Sequence, residues 1–166
     1  GNQCYEVKGA DRCWALFSAD TVPALLALGA MLKVANSRGE RLLPLKDLYT
    51  GKGHPVTLLA EDELIAEIRI PPVSSTARSA YVKHAIPAEG IDFPIAGVAT
   101  VIITTNGICQ DCHIWATGMS SEPFEATDAE KFLKGKFAEA YIDLMQAERS
   151  APGYMEKQKD RLEYLK

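Results

Sequence analysis

An α+β chain in two parts is what this sequence predicts, and three observations carry that expectation. Asn106-Gly107 lies between two runs rich in Val, Ile and Thr. Both residues tolerate the positive φ of a type I′ turn, so residues 96–105 and 108–117 read as an antiparallel hairpin. Pro71-Pro72 removes ladder donors, and Val73-Ser74-Ser75-Thr76-Ala77 then offers a small, polar linker. Thr127-Asp128-Ala129-Glu130 spells a capping box opening a helix that ends near Gly135. The expected order is helix and strands, linker, antiparallel strands, then helices.

Taken in order, Asp20-Thr21-Val22-Pro23 reads as a helix start. Asp20 can cap the orphan amides, and Pro23 suits the first turn because it has no N–H to lose. The apolar run 24–28 continues the helix and Gly29 stops it. Met31 to Ala35 and Arg41 to Leu43 read as strands around the turn Ser37-Arg38-Gly39-Glu40. A short helix is expected over 44–49, before the flexible Gly51-Lys52-Gly53. Residues 65–70 alternate as a strand does, and Ala80 to His84 reads as another. Two further helices are expected over 137–149 and 154–165, divided by Ala151-Pro152-Gly153.

Composition narrows the function classes. The 166 residues suffice for one domain or two small packed units, and 47% hydrophobic with 24% charged is ordinary for a globular chain. A net charge of −4 and a pI near 5.4 leave no basic footprint for nucleic acid. No apolar run approaches the ~20 residues of a membrane span. No secretion leader precedes the four cysteines, so a reducing, cytoplasmic setting is expected. The opening Gly1-Asn2-Gln3-Cys4 reads as a cut end.

Several phrases then match one family in order and spacing. They are Ser18-Ala19-Asp20, Pro23 with Ala27-Leu28-Gly29-Ala30, and Ser37-Arg38-Gly39 with Arg41 and Pro44-Leu45. Asp62-Glu63-Leu64-Ile65 and Ile68-Arg69-Ile70-Pro71 follow. Tyr81-Val82-Lys83, Ile91-Asp92-Phe93-Pro94, and Gly118 through Pro123 ahead of Ala126 complete the set. Together they resemble the FAD-binding (medium) subunit of the molybdenum hydroxylases, the group of xanthine dehydrogenase, carbon monoxide dehydrogenase and 4-hydroxybenzoyl-CoA reductase.

The resemblance implies that residues 1–72 end a flavin-binding α/β subdomain. It implies that residues 78–166 form a small antiparallel sheet packed with C-terminal helices. The family's glycine-rich pyrophosphate loops do not occur in these residues, and Gly51-Lys52-Gly53 lacks the strand–loop–helix context that would replace them. The residues present are therefore expected to hold FAD poorly or not at all by themselves.

The role implied is an electron port. A molybdopterin-binding large subunit would act on the substrate, a small [2Fe–2S] subunit would relay electrons, and this subunit would pass them to or from an external partner. Position by position, Asp20 matches an acidic residue near the FAD, Ile65 an apolar residue near the isoalloxazine ring, and Lys83 a lysine near the flavin. A cation there would stabilise a reduced, anionic ring. The residue-level alternatives are an N-cap role for Asp20, core packing for Ile65 and a solvated strand lysine for Lys83. Family members often carry an arginine shortly after the lysine, whereas this chain has Ile86-Pro87-Ala88.

The same resemblance gives Cys4 and Cys13 a reading. In the branch similar to 4-hydroxybenzoyl-CoA reductase an inserted loop at this place carries a [4Fe–4S] cluster, and these two cysteines fit the last two of its four ligands. The alternative is a pair of structural cysteines, and either way the two thiols are expected to be orphaned and oxidation-prone.

Cys109-Gln110-Asp111-Cys112-His113 carries the C-x-x-C-H pattern of c-type haem attachment. In a regular strand, however, residues three apart face opposite sides and lie roughly 10 Å apart, too far for a shared haem or a disulfide. No second C-x-x-C completes a zinc site, and His54, His84 and His113 show no ligand spacing. Two rivals to the electron port stand beside it. One is a subunit-docking module with no flavin role; the other is a small cytochrome, which would need a helix at Cys109–Cys112.

Overall fold

The computed structural model describes residues 4, 7–11, 13–85 and 94–136. Helix α1 (Thr21–Ala27) leads into strands β1 (Met31–Asn36) and β2 (Gly39–Pro44), then a single 3-10 turn over Leu45–Asp47 and strand β3 (Leu64–Arg69). Strands β4 (Ala77–His84), β5 (Ala96–Thr105), β6 (Ile108–Thr117) and β7 (Phe124–Glu125) precede helix α2 (Thr127–Leu133). They form two antiparallel sheets, ordered β2-β1-β3 and β4-β5-β6-β7. The α+β expectation holds. The helices expected over 137–149 and 154–165 lie outside the described residues.

Local chemistry explains the regular parts. Asn106 and Gly107 take φ of 51° and 78°, so the Thr105–Ile108 pair closes on the two-residue turn the sequence signals. Gly29 ends α1 in a Schellman arrangement: it has φ 69° and donates to the Leu26 carbonyl at 2.9 Å, while the Ala30 N–H reaches Leu25 at 2.9 Å.

The two helix starts come out differently from expectation. Asp20 makes no side-chain cap hydrogen bond at α1, and Ala126 rather than Thr127 precedes α2, again without a side-chain cap. The expected capping box is absent: Thr127 lies inside the helix, and the Glu130 carboxylate is used elsewhere. Its Oε1 accepts the Ile114 N–H at 2.7 Å, tying α2 to β6.

One core spans both sheets. Leu32 and Val34 of β1 pack with Leu26 and Ala27 of α1, with Leu45 and Leu48, and with Ala99, Val101 and Trp115 from β5 and β6. Ala99 and Trp115 are register partners, so their side chains share the face that meets α1. Helix α1 thus shares one core with both sheets, and a fully buried side chain of this kind contributes about 1.5–3 kcal/mol. Beside it β3 is an outer strand whose residues are all exposed. No helix among the described residues is long and apolar enough to cross a membrane.

The Ser37-Arg38-Gly39 phrase and Arg41 work as a clip. The Arg41 guanidinium grips both oxygens of Glu63 at 2.8 and 2.9 Å, and Glu63 also accepts the Ala60 N–H at 3.0 Å. Arg38 meets Asp62 at 2.8 Å. The Arg41 hydrogen bonds, first of all, hold the Glu63 carboxyl at about 2 instead of its ordinary 4.5. The folded state therefore binds this proton more weakly than the unfolded chain. The clip's contribution is complete above about pH 4.5 and drains away as the pH falls toward 2. Urea midpoints of wild type and Glu63→Gln should differ near neutrality and converge by pH 2; a constant gap across that range would refute the assignment.

Candidate functional site

The segment before α1 is stitched to the end of β6. Phe17 donates its N–H to the Ser120 carbonyl at 2.7 Å and accepts the Gly118 N–H at 2.9 Å. The Thr117 hydroxyl, fully buried, donates to the Phe17 carbonyl and accepts the Ala19 N–H, both at 3.0 Å. The Phe17 ring meets Tyr49 edge-on at 5.0 Å. These contacts place Asp20 beside β4.

There the carboxylate finds two partners. Lys83 Nζ lies 3.1 Å from Asp20 Oδ2, and Tyr81 Oη donates to Oδ1 at 3.3 Å. Tyr81 and Lys83 are two positions apart on one strand and so share a face. Gly97, the register partner of Lys83, makes room: a Cβ on it would sit 2.8 Å from Tyr81 Oη and 3.0 Å from Thr117 Cγ2. Burial, and then the neighbouring Asp20 charge, pushes the Tyr81 hydroxyl above its ordinary pKa.

The Asp20 and Lys83 side chains remain 49% and 23% exposed. An ion pair so open contributes about 0–1 kcal/mol to stability, so fold maintenance gives little reason to keep it. Chemically it offers a cation and a phenol as donors, and a carboxylate as acceptor, on one open rim.

Ile65 stands apart from this cluster. It pairs with Val34 in the other sheet, is 42% exposed, and belongs to neither the buried core nor the Asp20 hydrogen bonds. The core-packing alternative for Ile65 is therefore not what the structure shows. Tyr81, Gly97 and Thr117 complete the cluster, and the sequence alone does not mark them as site residues. Their only signal was local: a tyrosine two residues before the lysine, and Thr-Gly at a strand end.

The pyrophosphate cradle of the family has no substitute at Gly51-Lys52-Gly53. Gly51 abuts the Glu122 carboxylate, whose oxygens lie 3.0 and 3.1 Å from the position of a Cβ, so an anion would meet negative charge. The rim residues suit one edge of a flavin, with donors and an acceptor side by side, but not its phosphates. Residues 86–88 and 91–93 lie outside the described residues.

Cys4 and Cys13 are both half-buried. The Val7 N–H points at Cys4 Sγ at 3.3 Å, and Cys13 packs so tightly on Gly53 that a Cβ there would lie 2.5 Å from its sulfur. Among the described residues no three His, Cys, Asp or Glu side chains converge.

Cys109 and Cys112 correct the regular-strand argument. Ile103 pairs with Asp111 and Thr104 with Cys109, so Gln110 is a bulge with no partner. The extra residue shifts the alternation, and both cysteines fall on one face, buried together against Ile102 and Leu133. The strand itself is as expected, and it denies the cytochrome reading its helix.

Comparison with known proteins identifies the setting. A family model described as the FAD binding domain in molybdopterin dehydrogenase matches residues 11–73. A second, the CO dehydrogenase flavoprotein C-terminal domain, matches residues 80–152. The nicotine 6-hydroxylase medium subunit of Paenarthrobacter nicotinovorans is 33% identical over 111 residues, 67% of this chain and 37% of the relative. The 6-hydroxypseudooxynicotine dehydrogenase complex subunit alpha of the same organism is 28% identical over 117 residues, 70% of this chain and 38% of the relative. Among solved structures, CO dehydrogenase from Oligotropha carboxidovorans superimposes with a TM-score of 0.63 at 28% identity, over 70% of this chain and 40% of that one. The chain thus spans about two fifths of the length of the proteins it matches.

Proposed function

Since the chain belongs to the FAD-binding subunits of the molybdenum hydroxylase family, we propose that it forms one side of an electron port between iron–sulfur centres and an external donor or acceptor. The similar proteins are subunits of oxidoreductases, which supports that class. The partners proposed are a molybdopterin-binding large subunit and a [2Fe–2S] small subunit. A match to the FAD-binding domain does not favour a docking module without flavin.

The observation that carries the reading is the Asp20–Tyr81–Lys83 rim. FAD, when bound, supplies a store for two electrons. Lys83 would offer positive charge to a ring gaining electrons, with Asp20 holding that lysine in position. Asp20 also presents an acceptor oxygen, and Tyr81 orients the carboxylate. Ile65, exposed on β3, offers apolar surface for the ring as a separate contact. Residues 1–72 and 78–166 are proposed as the two domains that meet at this rim. Cys4 and Cys13 would supply two of the four thiolates of a [4Fe–4S] cluster. A cytoplasmic location is proposed with the enzyme class.

Replacing Lys83 with methionine in the full FAD subunit tests the rim. The flavin midpoint potential should fall by about 30–60 mV, a 10–100-fold change in a two-electron equilibrium. An unchanged potential together with an unchanged flavin content would remove Lys83 from the site. A parent protein that takes up no FAD on reconstitution would restore the docking module.

A further inference from the structure

Beneath α2 lies a feature the electron port does not use. The bulge at Gln110 sets Cys109 opposite Thr104 and Cys112 opposite Ile102, two positions apart along the partner strand. Both sulfurs are buried, at 2% and 3% residue exposure, with Leu133 of α2 over them. Each acts as a donor: Cys109 Sγ to the Asp111 carbonyl at 3.6 Å and Cys112 Sγ to the Glu130 carbonyl at 3.5 Å.

We propose that Cys109 and Cys112 form a dithiol binding site for a thiophilic electrophile with two exchangeable valences, of the trivalent-arsenical class. The inference does not depend on the flavin assignment.

Three arguments select this ligand chemistry. Two strand positions separate the Cα atoms by roughly 6.6–6.8 Å. That is the upper end of the disulfide span, so a direct bond sits at the edge of the allowed geometry even though the two thiols lie within hydrogen-bond reach of each other. An atom seated between them removes the need for that closure. Charge gives the second argument. Burial first, and Cys109 next to it, push the Cys112 thiol up to about 12, with Glu130 and Asp111 adding in the same direction. A monovalent soft cation on two thiolates would leave a buried negative charge among these carboxylates, whereas an arsenical adduct is neutral. Two ligands also fall short of the four a structural zinc requires.

The chemistry balances without a redox step. An oxide R–As=O meets two thiols; two As–S bonds form, and the oxygen departs with both thiol protons as water. Arsenic stays trivalent.

Access runs through α2. The helix has seven residues and none of them is buried. Its end is held to β6 by Gly135 N–H to the Cys109 carbonyl at 2.8 Å, Cys109 N–H to the Lys136 carbonyl at 2.9 Å, and Lys134 to Asp111 at 3.4 Å. A helix this short is marginal alone, so local opening of α2 is the expected route to the thiols.

The test treats the full native protein with stoichiometric phenylarsine oxide and reads the peptide carrying residues 109–112 by mass spectrometry. One phenylarsenic bridge should appear on that peptide, protect both cysteines from iodoacetamide after denaturation, and be reversed by excess dithiothreitol. Cys109→Ser and Cys112→Ser should each weaken uptake at this peptide by at least 100-fold, on the order of the gain from an intramolecular second bond. If a serine variant fails to fold, the corresponding alanine variant is used, with folding checked by circular dichroism. Three results overturn the proposal: uptake surviving either single replacement, a bridge formed only after unfolding, or a diamide-induced Cys109–Cys112 disulfide in folded protein that takes up no arsenical.

Discussion

Gly118→Ala is expected to lose about 3–5 kcal/mol of stability, enough to unfold much of the protein. Two costs combine. The residue has φ 84°, where an L side chain adds roughly 1–2 kcal/mol of strain. A Cβ would also lie 2.1 Å from the Ile95 carbonyl oxygen, 3.0 Å from its carbon and 3.3 Å from Ala96 Cα. All three are backbone atoms at the start of β5, so no rotamer change relieves the clash, and forced overpacking of this sort costs about 1–3 kcal/mol or more. The N–H of Gly118 also anchors Phe17, so the segment that positions Asp20 should loosen with it. Urea denaturation measures the loss; a shift under about 0.5 kcal/mol would refute the steric and backbone costs assigned to this position.

Thr117→Val should cost about 2–3 kcal/mol with almost no change in shape. The hydroxyl is the acceptor for the Ala19 N–H and a donor to Phe17. Valine leaves the Ala19 N–H without its acceptor, a penalty of about 1–3 kcal/mol when buried, while the Phe17 carbonyl keeps the Gly118 N–H. Thr117→Ser keeps both hydrogen bonds and loses only a methyl group, so it should retain the Asp20 geometry at a cost of about 1 kcal/mol. A clean separation appears in the full FAD subunit, where Val should lower flavin retention and Ser should not. Equal behaviour of the two variants would show that packing, not the hydroxyl, positions the segment.

The roles of single residues show where reading the chain falls short. Asp20 has the right type and place for an N-cap, yet its carboxylate turns to Tyr81 and Lys83, more than sixty positions away. An ammonium and a phenol converging on one carboxylate displace a local amide, and no window of neighbouring residues contains that competition. Glu130 repeats the pattern by abandoning its own helix start for the Ile114 N–H. Cys109 and Cys112 depend on a bulge that is visible only as a register shift against Ile103 and Thr104. Strand β7, of two residues, is too short to leave any periodic signal.

What the chain determined by itself is what a few adjacent residues can decide. Asn106-Gly107 sets its turn because both accept positive φ, Gly29 stops α1 for the same reason, and Pro71-Pro72 ends a strand by lacking donors. Its ordered phrases also name the family, because spacing along the chain survives without coordinates. The tertiary structure alone decided which side chains meet. It joined α1 to both sheets in one core, carried Asp20 to β4 through Thr117, and turned two cysteines to one face. Such meetings depend on strand register and on burial shared by distant segments, and those energies belong to the assembled chain.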